Sequence, residues 1–172
     1  WKNNRGFSTT DISVNGTSLV GRQCEADVAV SSNGTIYVVW SNNNTNPSTI
    51  WCAMSYNNGS TFTTAVMLPR PVTTGGRNNV NPQVAVSKNG SYVHVVWTHR
   101  VTVGISELIS VNFDVYYANS TNGGASFQAS AVAINTSTNH EYSPDIALDD
   151  AGNPHIAYTS LQTGSLAGAV YT

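Results

Sequence analysis

Charged residues are scarce in this sequence: they make up 9% of its 172 residues, with 7 Lys and Arg against 9 Asp and Glu. The chain therefore offers no basic surface for nucleic-acid phosphates, and nucleic acid is not expected as a partner. No apolar run approaches the roughly 18 residues that cross a bilayer, so no membrane span is expected. The sequence begins at Trp1 with neither Met nor a signal-like segment, which predicts a processed form or a fragment.

Cysteine is also rare, with Cys24 and Cys52 as the two copies. In an oxidising compartment the two thiols would pair. Non-adjacent strands of one sheet lie about 9 to 10 Å apart, beyond the roughly 7 Å between Cα atoms that a disulfide spans. Pairing therefore requires Cys24 to lie in a loop that crosses over, and both a disulfide and a pair of buried thiols stay open.

Small polar residues are abundant instead, with 20 Asn, 20 Ser and 19 Thr. Such a composition, where an intracellular protein usually carries Lys and Glu, is typical of a secreted or cell-surface protein. If the chain is exported, some of its seven N-x-S/T sequons are expected to carry glycans. These candidate N-glycosylation sites are Asn15, Asn33, Asn43, Asn58, Asn89, Asn119 and Asn135.

Three segments repeat one pattern: a short apolar strand, a polar turn with Gly, and a second strand that ends in an aromatic residue. They read DVAVSSNGTIYVVW (27–40), QVAVSKNGSYVHVVW (83–97) and DIALDDAGNPHIAY (145–158). Glycine in each turn suits the positive φ of a tight hairpin. The equivalent positions are Val28, Val84 and Ile146 in the first strand, Gly34, Gly90 and Gly152 in the turn, and Trp40, Trp97 and Tyr158 at the end.

Third and fourth strands follow in the first two units, because 49–55 and 114–120 are rich in β-branched and aromatic residues and lead into 61–68 and 126–134. No window has a sustained 3.6-residue period, so almost no helix is expected. A unit of four antiparallel strands that recurs every 55 to 65 residues is typical of a β-propeller blade. We therefore predict an all-β fold of β-propeller-type blades, about three in this chain.

Two turns carry the motif S-x-[DN]-x-G-x-[TS]-[WF], in SYNNGSTF (55–62) and STNGGASF (120–127). The motif residues are Ser55, Asn57, Gly59, Thr61 and Phe62 in the first copy and Ser120, Asn122, Gly124, Ser126 and Phe127 in the second. They resemble the Asp-box, or bacterial neuraminidase repeat, of sialidase-like β-propellers, with Asn and Phe in place of the commoner Asp and Trp. The resemblance covers nearly the whole chain. It implies that the boxes are structural and lie on the face opposite a catalytic one.

The two chain ends resemble halves of one blade, since AVYT (169–172) joined to WKNNRGFSTTDISV (1–14) aligns with a third strand, a degenerate box and a fourth strand. The predicted division is 1–20 as the outer strand of this split blade, 21–68 as the first blade, 69–135 as the second, and 136–172 as the inner strands of the split blade. Three blades are fewer than the roughly four of a closed ring, so the missing strand is expected from another copy. Two copies in a six-bladed ring, an open filament, and a segment of a longer propeller chain all stay open.

The resemblance would imply three arginines that grip a carboxylate, an acid/base residue, and a Tyr with a Glu partner. Arg22, Arg77 and Arg100 fall in segments expected on that face, and Glu141 and Tyr142 stand in the third unit. The R-I-P signature of the family is absent, with LPRP at 68–71 the nearest approach, and no second unit supplies a convincing acid. No residue is therefore assigned as catalytic, and no cofactor or metal is expected.

Other polar residues are interpreted as parts of the repeat. His94 and His155 occupy the position of Tyr37 and are predicted to be strand residues rather than metal ligands. Asp149 and Asp150 are assigned to a hairpin turn, because the equivalent turns lack acids. Asp27, Gln83 and Asp145 recur at the start of the innermost strands. Their side chains could line a central channel or bond neighbouring backbones, and we favour the second.

The second unit carries an apolar insertion, VTVGISELISVNF (101–113). Its candidate contact residues are Ile105, Leu108, Ile109 and Val111. An apolar connection favours a contact with another copy or a ligand, with packing onto its own blade as the alternative.

The sequence as a whole favours a non-enzymatic extracellular or cell-surface protein whose blades are completed between copies by strand exchange, forming a closed oligomer or a filament. The alternatives are a fragment of a sialidase-like glycoside hydrolase and a carbohydrate-binding propeller module.

Overall fold

The computed structural model describes residues 11–15, 22–44, 48–71, 76–103, 110–135, 137–162 and 168–171. Within these ranges the chain is all β, and it contains no helix long and apolar enough to cross a membrane. The strands are β1 Gln23–Val30, β2 Ile36–Asn42, β3 Thr49–Ser55, β4 Val66–Met67, β5 Gly76–Val86, β6 Val93–Val103, β7 Ser110–Ser120, β8 Val132–Ala133, β9 His140–Leu148, β10 Pro154–Leu161 and β11 Gly168–Tyr171.

The strands form three antiparallel sheets, each in the order of the chain. We call β1 to β4 blade 1, β5 to β8 blade 2, and β9 to β11 the third sheet. Blade 2 lies in the middle, because β5 packs against blade 1 while β5, β6 and β7 also pack against β9. The fold predicted from the repeat, all-β with four-stranded antiparallel blades, is confirmed, and the third sheet has three strands in the described residues.

The first strand of each sheet, β1, β5 or β9, which we call its innermost strand, has a β-bulge at an equivalent place. The pairing register shifts between Cys24 and Asp27, between Val80 and Gln83, and opposite Ala157 to Thr159. A non-glycine residue adopts positive φ at each bulge: Glu25 at 56°, Asn81 at 52° and Ser143 at 51°. A bulge interrupts the ladder and bends the strand. The repeat thus extends to backbone conformations that sequence patterns do not reveal.

The core lies between blades 1 and 2. Tyr37, Val39 and Met54 of blade 1 pack with Val95 and Trp97 of blade 2, and all five are buried. These are alternate residues of their strands, as expected when a sheet buries one face against its neighbour.

One turn glycine is required by this packing. The Tyr37 hydroxyl crosses to blade 2 and donates to the Gly90 carbonyl at 2.8 Å. Gly90 has a φ of 75°, and a Cβ there would lie 2.7 Å from the Tyr37 hydroxyl oxygen. The turn therefore needs glycine both for its conformation and for the close approach of blade 1.

Two sequence-based boundaries were wrong. The fourth strands expected at 61–68 and 126–134 reduce to the two-residue strands β4 and β8. In blade 1 this happens because Thr63 pairs with Met54 partly through its side chain: the Met54 N–H donates to Thr63 Oγ1 at 3.1 Å.

The apolar insertion was expected to be a loop, but β6 and β7 continue into it and pair as far as Val103 and Ser110. Val111 therefore lies on β7, whereas Ile105, Leu108 and Ile109 lie outside the described residues. So does the degenerate box expected at Asn4, Gly6 and Ser8.

Candidate functional site

The two boxes have the same internal hydrogen bonds. In the first, Ser55 Oγ donates to Asn57 Oδ1 at 3.0 Å and accepts from the Gly59 N–H at 2.9 Å, while Asn57 Oδ1 also accepts from the Thr61 N–H at 2.9 Å. The second box repeats these bonds with Ser120, Asn122, Gly124 and Ser126 at 2.8, 2.9 and 3.0 Å. The polar side chains are thus used within the turns, which is what a structural element requires.

The boxes mark one end of the stack. They follow β3 and β7, and the second box contacts the first turn of its own blade, where the Gly123 N–H donates to the Ser91 carbonyl at 2.9 Å. We call this the box end. The starts of the innermost strands β1, β5 and β9 lie at the opposite end, since successive strands alternate in direction.

Near that opposite end, one repeat position is polar in all three sheets. It is Gln23 in β1, Asn79 in β5 and Glu141 in β9, two residues before each bulge residue. Gln23 Oε1 accepts from the Trp40 indole N–H at 2.8 Å, and Asn79 Oδ1 accepts from the Trp97 indole N–H at 2.9 Å. In the first two units this side chain therefore satisfies the tryptophan that closes the second strand.

Asn79 also joins blade 2 to blade 1. Its N–H donates to Ser48 Oγ at 2.6 Å, and its side-chain Nδ2 donates to the Ser48 carbonyl at 2.7 Å. Its Oδ1 also lies 2.9 Å from His99 Nδ1. Asn79, Ser48, Trp97 and His99 are all buried. They form a polar group whose members satisfy one another inside the stack.

Glu141 lacks the indole partner that Gln23 and Asn79 have. In the third unit Tyr158 replaces the tryptophan, and its hydroxyl accepts from Asn135 Nδ2 at 3.1 Å. At the place of Ser48, whose hydroxyl bonds the Asn79 backbone, blade 2 has Phe113, which has no polar side-chain atom. Glu141 is 0% exposed, yet its Oε2 has no hydrogen-bond partner in the part of the chain that the structure describes. Its other oxygen, Oε1, accepts from the Ser137 hydroxyl.

The surroundings of Glu141 favour its protonated form. Burial raises the pKa of the Glu141 carboxyl, the nearby Asp114 raises it further, and the Ser137 hydroxyl and His140 oppose the rise. Burial also raises the pKa of Asp114, against the Asn112 amide and His140. Two carboxyl groups that interact in a partly dry site do not both ionise readily, so one can hold a proton and donate it in a hydrogen bond.

Aromatic and basic side chains border these carboxyls. The Phe113 ring centroid lies 5.8 Å from that of His140 and 6.3 Å from that of Tyr142, both in edge contacts. The Arg100 guanidinium carbon lies 5.9 Å from the same centroid. The Nδ1 atom of His140 is buried without a hydrogen-bond partner among the described residues. We call Arg100, Phe113, Asp114, His140, Glu141 and Tyr142 the Glu141 cluster.

The structure brings together some of the residues proposed from the sequence. Glu141, Tyr142 and Arg100 belong to the Glu141 cluster, whereas Arg22 is exposed before β1. Arg77 lies on β5 opposite Val101. The described residues contain no group of three His, Cys, Asp or Glu that could hold a metal ion.

Other proposed residues lie elsewhere. Asp149 is in the β9–β10 turn, where its Oδ1 accepts from the Asn153 N–H at 2.8 Å, and His155 Nε2 lies 3.7 Å from its Oδ2. His94 is a buried strand residue whose Nδ1 lies 2.7 Å from the Tyr117 hydroxyl. Asp27 accepts from the backbone N–H of Val84 at 2.8 Å, which is a bond to a neighbouring backbone as favoured above.

The cysteines are free thiols in the structure. Cys24 is on β1 and Cys52 on β3, with β2 between them. Cys24 lies in a strand rather than in a crossing loop, so the condition for a disulfide is not met.

The asparagines of the sequons differ in their solvent exposure. Asn33, Asn43, Asn58 and Asn89 are exposed, whereas Asn119 and Asn135 are half-buried. Asn15 is half-buried and accepts from the Ser13 hydroxyl at 2.8 Å.

Sequence reasoning missed Asp114, Phe113 and His140. Asp114 and Phe113 stand where the first unit has Thr49 and Ser48, and an alignment of the repeats at Ser55 and Ser120 would have placed a carboxylate and a ring at this junction. The sequence therefore contained these two residues at aligned positions, but their role could be inferred only with the knowledge that β7 of blade 2 packs against β9.

Comparisons with known proteins support the fold. No protein-family model matches the chain, and no curated protein matches it. Two solved structures of an ulvan lyase of polysaccharide lyase family PL25 are similar. One is bound to the saccharide -[GlcA(1-4)Rha3S]- and has a TM-score of 0.56, and the other has a TM-score of 0.55.

The identity to both structures is 16%, over 78% of this chain and 36% of the lyase chain. The chain therefore spans about a third of the length of the lyase. At this identity the likeness shows the fold alone: the sheets match part of a propeller-fold lyase.

Proposed function

We propose that the Glu141 cluster binds a saccharide, and that the chain forms part of a carbohydrate-binding Asp-box propeller of the sialidase-like kind, in an extracellular or cell-surface protein. The observation that carries this proposal is the buried Glu141 carboxyl, whose Oε2 lacks a partner at a position where the other two sheets have a satisfied amide. Native proteins rarely leave a buried polar atom unpaired, and a ligand hydroxyl that reaches Oε2 when the covering side chains move aside would satisfy it.

The composition of the cluster suits a sugar. Aromatic side chains such as Phe113 and Tyr142 offer apolar faces for the C–H side of a pyranose ring, and protonated or ionised carboxyls bond its hydroxyls. Arg100 adds a cation that can form two hydrogen bonds with an acidic sugar. The fold likeness to a lyase that binds a glucuronate-containing saccharide supports this reading.

The position of the cluster also favours binding. It lies at the end opposite the boxes, where the resemblance to sialidase-like propellers implies the functional face. Because Glu141, His140 and Tyr142 are on β9 while Phe113 and Asp114 are on β7, two adjacent sheets supply the groups. Sites between packed elements are the usual location of small-molecule pockets.

The test is binding to soluble polysaccharides, neutral and uronate-containing, by affinity electrophoresis and calorimetry. We expect retardation by at least one of them and about tenfold weaker binding for Tyr142→Ala, the worth of one aromatic contact. The matched control is Tyr56→Ala, since Tyr56 is an exposed tyrosine in the first box. Release of reducing ends in the same mixtures would distinguish cleavage from binding. Binding by no polysaccharide, or equal loss in both variants, would contradict the proposal.

A second function, assembly by strand exchange, is favoured by a separate observation. In the described residues the third sheet ends at β11, whereas the other two sheets continue to a fourth strand. Among those residues β11 pairs with β10 alone, so no described strand pairs with its other edge. A strand added there would gain a row of backbone hydrogen bonds. Deleting residues 1–12 is expected to leave a monomer in light scattering, and unchanged oligomers would contradict strand exchange.

A further inference from the structure

The three innermost strands differ in which faces they bury. In β9, the residues that face blade 2 are covered, with Ile146 8% exposed, and the alternate residues Asp145 and Ala147 are exposed. In β1 the pattern is inverted: Val28 and Val30 are 58% and 60% exposed, while the alternate residues are half-buried against blade 2.

The middle strand β5 is covered on both faces. Val84, the equivalent of Val28, is 6% exposed because blade 1 packs on it, and the residues on either side are half-buried. The stack therefore has two faces that no other described sheet covers, although Ser13, Val14 and Asn15 lie beside Val38 and Trp40 on the first of them. The front face, on β1, presents Val28 and Val30. The back face, on the third sheet, presents Asp145 and Ala147 with the neighbouring His155 and Ala157 of β10.

Inside the chain, a back face meets a front face through a specific hydrogen bond. Asp27, on the back of blade 1, accepts from the Val84 N–H on blade 2 at 2.8 Å. Asp145 is the repeat equivalent of Asp27, and its carboxylate is exposed on the open back face, where Oδ1 accepts from the adjacent Ile146 N–H at 2.8 Å. Val28 is the equivalent of Val84. The back face thus carries an equivalent of the Asp27 acceptor, and the front face carries an equivalent of the Val84 N–H donor. Asp27 and Val84 already form a hydrogen bond between blades 1 and 2.

Not every contact is repeated. Glu25 Oε2 accepts from the Asn81 N–H at 2.9 Å across the first junction, and the equivalent of Glu25 in the third sheet is Ser143, which has no carboxylate. The acceptor that the back face retains is therefore Asp145.

We infer that a second copy of this chain docks its third sheet against β1, with Asp145 of one copy accepting from the Val28 N–H of the other, and that two copies close a ring of six sheets through two such junctions. The packing needs no exchanged strand and no bound saccharide. A chain that lacks residues 1–12 should therefore still dimerise through it, whereas strand exchange alone would leave that chain a monomer. The apolar residues Val28 and Val30 fit this occupant because their equivalents Val84 and Val86 already pack against the back of a blade of the same repeat.

The experiment is sedimentation equilibrium of the 172-residue chain over a range of concentrations. The expected species has twice the 18.3 kDa mass of one chain. Asp145→Ala removes one charge-assisted bond at each of two junctions and is expected to weaken the dimer about a hundredfold. Val28→Asp puts a charge in the apolar contact and is expected to give monomers. Both residues are exposed in a single chain, so neither variant should lower the thermal midpoint of the monomer.

Two further measurements make the result specific. Val132→Asp is the matched control, because Val132 is a half-exposed valine on the outer strand β8, away from both faces, and should leave the dimer intact. A mixture of Val28→Asp and Asp145→Ala chains restores one native junction per mixed pair, so the mixed pair should form where Val28→Asp chains alone stay monomeric. A monomeric parent chain, assemblies larger than two copies, a dimer insensitive to both variants, or no gain on mixing would each overturn the inference.

Discussion

Replacing Asn79 by Ala is expected to destabilise the protein through lost polar contacts rather than lost apolar packing. The Asn79 side chain accepts from the buried Trp97 indole N–H at 2.9 Å and donates to the Ser48 carbonyl at 2.7 Å. Its Oδ1 also lies 2.9 Å from His99 Nδ1. A buried donor or acceptor that loses its partner costs about 1 to 3 kcal/mol. With the Trp97 donor and the Ser48 acceptor both affected, the free energy of unfolding should fall by roughly 3 kcal/mol.

Gln23→Ala is the matched control, because Gln23 makes the equivalent bond to Trp40 at 2.8 Å. Gln23 and Trp40 line an open cavity of about 270 Å³, so water can replace the lost amide. The expected loss is below about 1 kcal/mol. Urea unfolding followed by tryptophan fluorescence measures both losses. Equal losses for the two variants would refute the view that burial of the Asn79 group, rather than the bond itself, sets the cost.

Three further predictions concern protonation, backbone conformation and thiol reactivity. Burial raises the pKa of Glu141, so above the ordinary carboxyl pKa the folded protein retains a proton that the unfolded chain has lost. The free energy of unfolding should therefore fall as pH rises from the ordinary carboxyl pKa towards the raised value. Glu141→Gln should flatten the resulting fall in the thermal midpoint, measured from about pH 4 to pH 8. Gly90→Ala should lower the free energy of unfolding by about 2 kcal/mol and Gly152→Ala by about 1 kcal/mol. Both glycines have positive φ, but only Gly90→Ala would place a Cβ 2.7 Å from the buried Tyr37 hydroxyl. Equal losses in urea unfolding would contradict a steric cost at Gly90. Cys24 should react with Ellman's reagent in the folded protein and Cys52, whose pKa burial raises to about 12, only after unfolding; a folded protein with no reactive thiol and no gain on unfolding would indicate a disulfide.

Much of the fold could be predicted because its signals are local. The turn glycines and the period-2 strands define each hairpin without reference to other sheets, and β3 has the bounds that the sequence indicated, Thr49–Ser55. The short fourth strands could not be foreseen, since the Thr63 side chain takes the place of a backbone partner. The bulges at Glu25, Asn81 and Ser143 could not be foreseen either, because positive φ is uncommon at Glu and Ser and the three positions share no residue type that would mark it.

Only part of the candidate site could be predicted from the sequence, for a different reason. Glu141 and Tyr142 could be singled out as polar residues near the start of an innermost strand, but their chemistry depends on β7 of the neighbouring sheet. Phe113 and Asp114 lie 27 residues or more away in sequence, and nothing local indicates that they meet β9. Sheet stacking, which the repeat implies but does not detail, decides which side chains form the cluster.

The repeat itself provides the best control for judging Glu141. A buried side chain that only served packing could be a neutral amide, as Gln23 and Asn79 are at the equivalent positions. Burying an ionisable carboxyl costs more free energy than burying an amide, because the ionised form loses its hydration. In the third sheet the carboxyl stands where the indole partner of Asn79 has no counterpart, and its Oε2 is left without a partner among the described residues. The free energy that its burial costs is therefore not offset by the bond that the equivalent amides make. A position that is less stable than its own repeat equivalents is what a binding or catalytic role would produce, and Glu141→Gln is therefore expected to gain stability at neutral pH while losing affinity for the saccharide.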